Sequence, residues 1–147
     1  MSITYKEIKA RLTDLGFEED DVTQDEYERI FINSLNRAGE IIYGTVMLGI
    51  EDYVRNQYGI ERVDAFGEDI PLPTITKITN KTADDDEIEI LDILVPLYTL
   101  LAAHYAWLDD DITKATIYWN EFDDLKNQIM ANANRPRRAK IIGGIGW

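Results

Sequence analysis

The side chains of this chain most able to do chemistry are two triple aspartates, Asp84 to Asp86 and Asp109 to Asp111, and a single histidine, His104. Clustered carboxylates are what calcium and magnesium need, because these hard cations take oxygen ligands. Counted from Asp109, however, Lys114 stands where a calcium loop turns on glycine, and Asn120 where it needs a bidentate glutamate. The aspartates therefore read as helix caps and solvated turns, and no metal is expected. His104 lies in the apolar stretch "PLYTLLAAHYAWL", a setting that favours a buried, hydrogen-bonded imidazole over a proton-transfer group. Zero cysteines leave no thiolate ligand, disulfide or sulfur nucleophile. No glycine-rich loop carries the lysine and hydroxyl of a phosphate cradle. Tyr105, Trp107, Tyr118, Trp119 and Phe122 read as helical core. The expectation is a protein that is not an enzyme and uses no cofactor; a small enzyme with a carboxylate-held metal would rest on the aspartates alone.

The end of the chain has a different texture. In "NRPRRAKIIGGIGW" the basic side chains Arg135, Arg137, Arg138 and Lys140 precede Ile141, Ile142, Ile145 and Trp147. The whole chain carries 15 basic and 28 acidic residues. The four basic residues of this tail have no acidic neighbour, so residues 1–134 hold 11 basic against 28 acidic groups, a net charge of −17. Such a body repels nucleic acid, and only the tail could attract a polyanion or an acidic surface. Solvated termini are usually polar, whereas this one exposes three isoleucines and a tryptophan, which calls for a partner. Its 13 residues, at about 3.3 Å each when extended, reach on the order of 40 Å. The tail is accordingly expected to be a docking arm that adds main-chain bonds and apolar anchors to a neighbour.

The elements that must position these features are mostly helices. At 147 residues and 45% hydrophobic, one domain with one core is expected. No run of about 18 apolar residues and no secretory leader occurs, so a soluble chain made in the cytoplasm is expected. In "ITYKEI", Thr4 and Glu7 form a capping box and Ile3 and Ile8 a hydrophobic staple. That helix should end at Leu15, with Gly16 left-handed and Phe17 folding back. "VTQDEY" repeats the grammar with Thr23, Glu26, Val22 and Tyr27. The second helix places Tyr27, Ile30, Phe31, Leu35, Ala38 and Ile42 at helical spacing. Gly39, Gly44 and Gly49 imply a break or a close helix contact. Between Arg62 and Glu89, alternation in "TITKIT" and "EIEIL" suggests a β-hairpin or extended arm, with a long surface loop as the simpler alternative. Its turn-rich, charged texture suggests that it is peripheral to the core. Pro96 can open the next helix, which looks nearly fully buried. The last helix, from about Ile112 to Ala131, lines up Ala115, Tyr118, Phe122, Leu125 and Ile129 as one stripe. The expected fold is mainly α: a small helical bundle over 1–134, with an insertion at about 62–90 and an extended tail over 135–147.

The order "LVPLYTLLAAHYAWLDDDITKATIYWNEFDDL", the basic connection and "IIGGIGW", with "FINSLNRAGEII" earlier, resembles the small helical head–tail adaptor (head-completion or connector) proteins of tailed bacteriophages. That resemblance covers most of the chain, least well the insertion. It implies a homo-oligomeric, commonly dodecameric ring in the virion, lying beneath the portal protein and meeting tail or tail-completion proteins. Genomic DNA would pass through its channel without sequence-specific binding, and no membrane would be involved. It further implies that Arg135, Arg137, Arg138, Lys140, Ile141, Ile142, Ile145 and Trp147 contact the portal. A reading from another class is a small helical regulator that binds one protein partner through the same tail.

Overall fold

The computed structural model describes residues 2–17 and 25–134. A short strand β1 (Ser2–Thr4) runs directly into helix α1 (Tyr5–Asp14). Thr4 is extended and its hydroxyl accepts from the Glu7 amide at 3.2 Å, a cap of the kind that contributes about 1 kcal/mol. At the other end the Gly16 amide donates to Thr13 and the Phe17 amide to Leu12, with Gly16 at φ +95°. This is a Schellman closure, and only glycine adopts that φ without strain. Phe17 thereby turns back into the core, stacked on Trp107 at 4.8 Å and edge-on to Phe31 at 4.7 Å.

Helix α2 (Asp25–Ile42) buries Phe31, Leu35, Ala38 and Ile42. Ile30, placed on the same face by its spacing, is 43% exposed: it flanks the stripe, since one step along a helix turns the side chain about 100° from its neighbour. Thr23, expected to cap this helix, lies outside the described residues. Past Ile42 the chain winds through a π turn (Tyr43–Met47) and a 3-10 turn (Leu48–Ile50) before helix α3 (Glu51–Tyr58). Two of the three glycines serve close approach, while Gly44 faces open space. A Cβ on Gly39 would meet Ile75 at 3.4 Å, and one on Gly49 would meet the Met130 methyl at 3.1 Å.

The stretch from Arg62 to Glu89 overturns two expectations. Strand β2 (Glu87–Glu89) pairs antiparallel with β1, Ile3 opposite Ile88, so its ladder partner is the start of the chain and not "TITKIT". That segment gives β2 a single main-chain bond, from the Thr76 amide to the Glu89 carbonyl. Pro71 and Pro73 have no amide hydrogen to offer a ladder. The stretch is also not peripheral: Leu72, Ile75, Ile78 and Ile88 all belong to the core. Burial recurs at every third residue from Leu72 to Ile78, the repeat of an extended three-residue turn and not the alternation of a half-buried strand.

Helix α4 (Val95–Trp107), with Pro96 in its first turn, is the axis of the bundle. It packs against α2 on one side and against helix α5 (Ile112–Ala133) on the other. Leu97, Tyr98, Leu101, Ala102 and Ala103 are buried, which covers nearly the whole circumference, as the unbroken apolar sequence requires. On α5 the stripe is Ala115 and Phe122, fully buried, with Tyr118, Leu125 and Ile129 half-buried against the core. Among the described residues the chain is mainly helical with one small antiparallel sheet.

Candidate functional site

Four of the chemistry-bearing side chains, His104, Asp84, Asp86 and Asp111, are engaged in local structure. His104 Nδ1 lies 2.7 Å from the Ala115 carbonyl oxygen, and its half-buried ring sits between Tyr105 and Trp119. It therefore ties α4 to α5. Asp111 caps α5, its Oδ1 accepting the amides of Thr113 and Lys114 at 3.1 Å each. Asp86 accepts the Ala83 amide at 2.8 Å. Asp84 pairs with Lys9 of α1, and the hydrogen bond from that ammonium holds its carboxyl below the usual carboxylate range. Among the described residues, no group of three or more histidine, aspartate and glutamate side chains stands close enough to share a metal ion.

The aromatic series is less uniformly core than its spacing implies. Phe122 is buried, Tyr105, Trp107 and Tyr118 are half-buried, and Trp119 is 40% exposed. Trp119 flanks the stripe through Ala115 and Phe122, one edge of its indole packed against His104 and Phe122 and the rest left in solvent. The Tyr118 hydroxyl donates to the Leu15 carbonyl and so links α5 to the end of α1.

The expected docking residues Arg135, Arg137, Arg138, Lys140, Ile141, Ile142, Ile145 and Trp147 lie outside the described residues. The last described residue, Asn134, borders a polar hollow of about 510 Å³ with Glu51, Asp52 and Arg62. Glu51 and Asp52 are both ion-paired to Arg62.

Two surface features escaped the sequence reading. One is an open groove of about 430 Å³ between α2 and residues 74–77, walled by Leu35, Gly39, Tyr43 and Ile75, with Glu40 and Lys77 at its rim. Its floor exists because Gly39 lets the extended segment approach α2. The other is a small hairpin from Arg62 to Ile70 that projects Phe66, 90% exposed, into solvent. "DAFGE" carries the signal for it, an aspartate two residues before the phenylalanine and a glycine after it, which is turn chemistry.

No family model matches this chain, and no curated protein or solved structure matches it either. Among the described residues no helix is long and apolar enough to cross a membrane.

Proposed function

We propose that this chain is a structural head–tail adaptor of a tailed bacteriophage, a homo-oligomeric ring beneath the portal that joins capsid to tail and surrounds the DNA channel. The observation that carries the reading is the separation of charge and texture along the sequence: a net −17 body over 1–134, then a basic cluster followed by Ile141, Ile142, Ile145 and Trp147. A body of that charge lining a channel repels phosphate and lets a duplex slide, whereas a basic lining would add salt-dependent affinity for every phosphate that passes. The tail supplies the opposite: positive charge for steering to an acidic surface, and apolar anchors for residence there. His104, Asp84, Asp86 and Asp111 are occupied in an interhelical bond, an ion pair and caps, which suits a part that assembles.

The test is removal of residues 136–147. Circular dichroism should show the helical body folded, since the core residues lie before Asn134, while co-sedimentation with portal-bearing heads should be lost. Undiminished binding to the heads would sink the proposal. A chain that stays monomeric even beside a portal would instead favour the small regulator.

A further inference from the structure

The hairpin from Arg62 to Ile70 is fixed at every level. At its base the Ile70 amide donates to the Arg62 carbonyl at 2.8 Å, and Val63 bridges Asp69. Higher up, the Asp64 amide donates to Glu68 at 2.9 Å. At the tip, Asp64 Oδ1 accepts the amides of Phe66 at 2.8 Å and Glu68 at 3.0 Å. From beneath, Arg55, only 8% exposed, donates to the Glu61 carbonyl at 2.6 Å and the Ile70 carbonyl at 2.7 Å, clamping both legs. All this ordering serves to present a benzyl group to water. A turn closed by backbone and aspartate bonds does not require phenylalanine, and apolar surface left in water forgoes the free energy that burial would supply. An anchor already fixed before contact loses little further freedom when it binds.

The same chain carries a hollow of fitting chemistry. The groove beside α2 is walled by Leu35, Gly39, Tyr43 and Ile75. On its rim Lys77 is paired, among the described residues, with the similarly exposed Glu40 at 3.5 Å. Around the knob the charges are Asp64, Glu68 and Asp69, with no basic side chain between Val63 and Ile70. Among the described residues Glu68 and Asp69 form no ion pair. Phe66 does not fill the groove of its own chain, since it stands almost wholly in solvent.

We infer that Phe66 of one copy seats in the α2 groove of a second copy, with Lys77 facing the acidic flank of the knob. Knob and socket are different surfaces, so the contact is heterologous: a bound pair still offers one free knob and one free socket. Such a contact repeats until it closes a ring or runs on as a filament. The inference rests on the hairpin and the groove and is independent of any role at a portal.

Sedimentation of the full chain tests it. The wild type should self-associate with concentration. Phe66→Asp, which blocks the knob, and Thr74→Trp, which fills the groove, should each weaken association by about tenfold or more while leaving the circular dichroism spectrum unchanged. Mixing those two variants should yield a one-to-one dimer and nothing larger, because one keeps its socket and the other its knob. Lys77→Glu should weaken association, and adding Glu68→Lys should restore it. A wild type that stays monomeric at every concentration overturns the inference, even if Phe66 proves necessary for binding heads. So does a Phe66→Asp chain that assembles like the wild type. Failure of the wild-type chain to bind portal-bearing heads, with its self-association intact, would count against the adaptor role alone.

Discussion

His104 Nδ1 stands 2.7 Å from the carbonyl oxygen of Ala115, so the chain's one imidazole joins the two helices that pack most extensively. A carbonyl can only accept, which requires the proton of the neutral ring to reside on Nδ1 and leaves Nε2 bare. Nitrogen-15 NMR resolves this directly, because a single histidine gives one pair of ring signals. The expected result is the Nδ1–H tautomer. His104→Ala should cost about 1 kcal/mol for the lost bond, with somewhat more from uncovered aromatic surface. A ring found mainly as the Nε2–H tautomer would mean that this tie does not form.

Asn36 makes the second prediction, because its side chain acts as a strand partner for residue 78. Its amide nitrogen donates to the Ile78 carbonyl and its oxygen accepts the Ile78 amide, both at 2.8 Å. Tyr43 adds a bond from its hydroxyl to the Leu72 carbonyl at 3.2 Å. The extended segment is thus hydrogen-bonded to α2 while Leu72, Ile75 and Ile78 enter the core. Ile78→Ala should destabilise by about 2–5 kcal/mol. Asn36→Ala, which strands two half-buried backbone groups, should cost about 1–3 kcal/mol. Urea unfolding measures both. Values near zero would restore the segment to the periphery of the fold.

That segment also marks where the sequence stopped being legible. The ends of α1 could be read because capping is local: Thr4, Glu7, Gly16 and Phe17 act within a few residues of one another. The buried α4 could be read because no polar face interrupts it. The glycines after Ser34 announced an irregularity, and a π turn with two close approaches is what they support. The partner of β2 could not be read, because the contact between Ile3 and Ile88 spans most of the chain, and the alternation in "EIEIL" announces a strand without naming what it pairs with. The role of Arg55 was hidden for a similar reason. Its clamp on Glu61 and Ile70 depends on where a loop returns, which no spacing rule encodes. Phe66 was invisible in a different way: exposure of an apolar residue is a property of the surface left over after packing, and hydropathy alone assigns such a residue inward.

The tyrosines give a pH dependence with a definite sign. Tyr5 is buried at 2% exposure, and its hydroxyl is pushed up to about 12 by that burial first and by the charges of Glu28 and Asp84 next. Tyr98 is pushed up as well, again mainly by burial, and its hydroxyl has no hydrogen-bond partner among the described residues. In the unfolded chain both titrate near about 10. A folded-state value above the unfolded one means that the fold prefers the neutral phenol. The contribution is therefore complete below about pH 10 and is lost progressively as the pH rises toward about 12. Unfolding in urea across this range should show wild-type stability falling more steeply than that of Tyr5→Phe. At neutral pH Tyr98→Phe should unfold at the same or a higher urea concentration, by up to about 1 kcal/mol, because it removes a buried hydroxyl that has nothing to bond. The double variant isolates these groups from the lysines, which titrate in the same window in every chain compared. If its stability declined with pH just as the wild type's does, the two phenols would not be the groups that the alkaline limb reports.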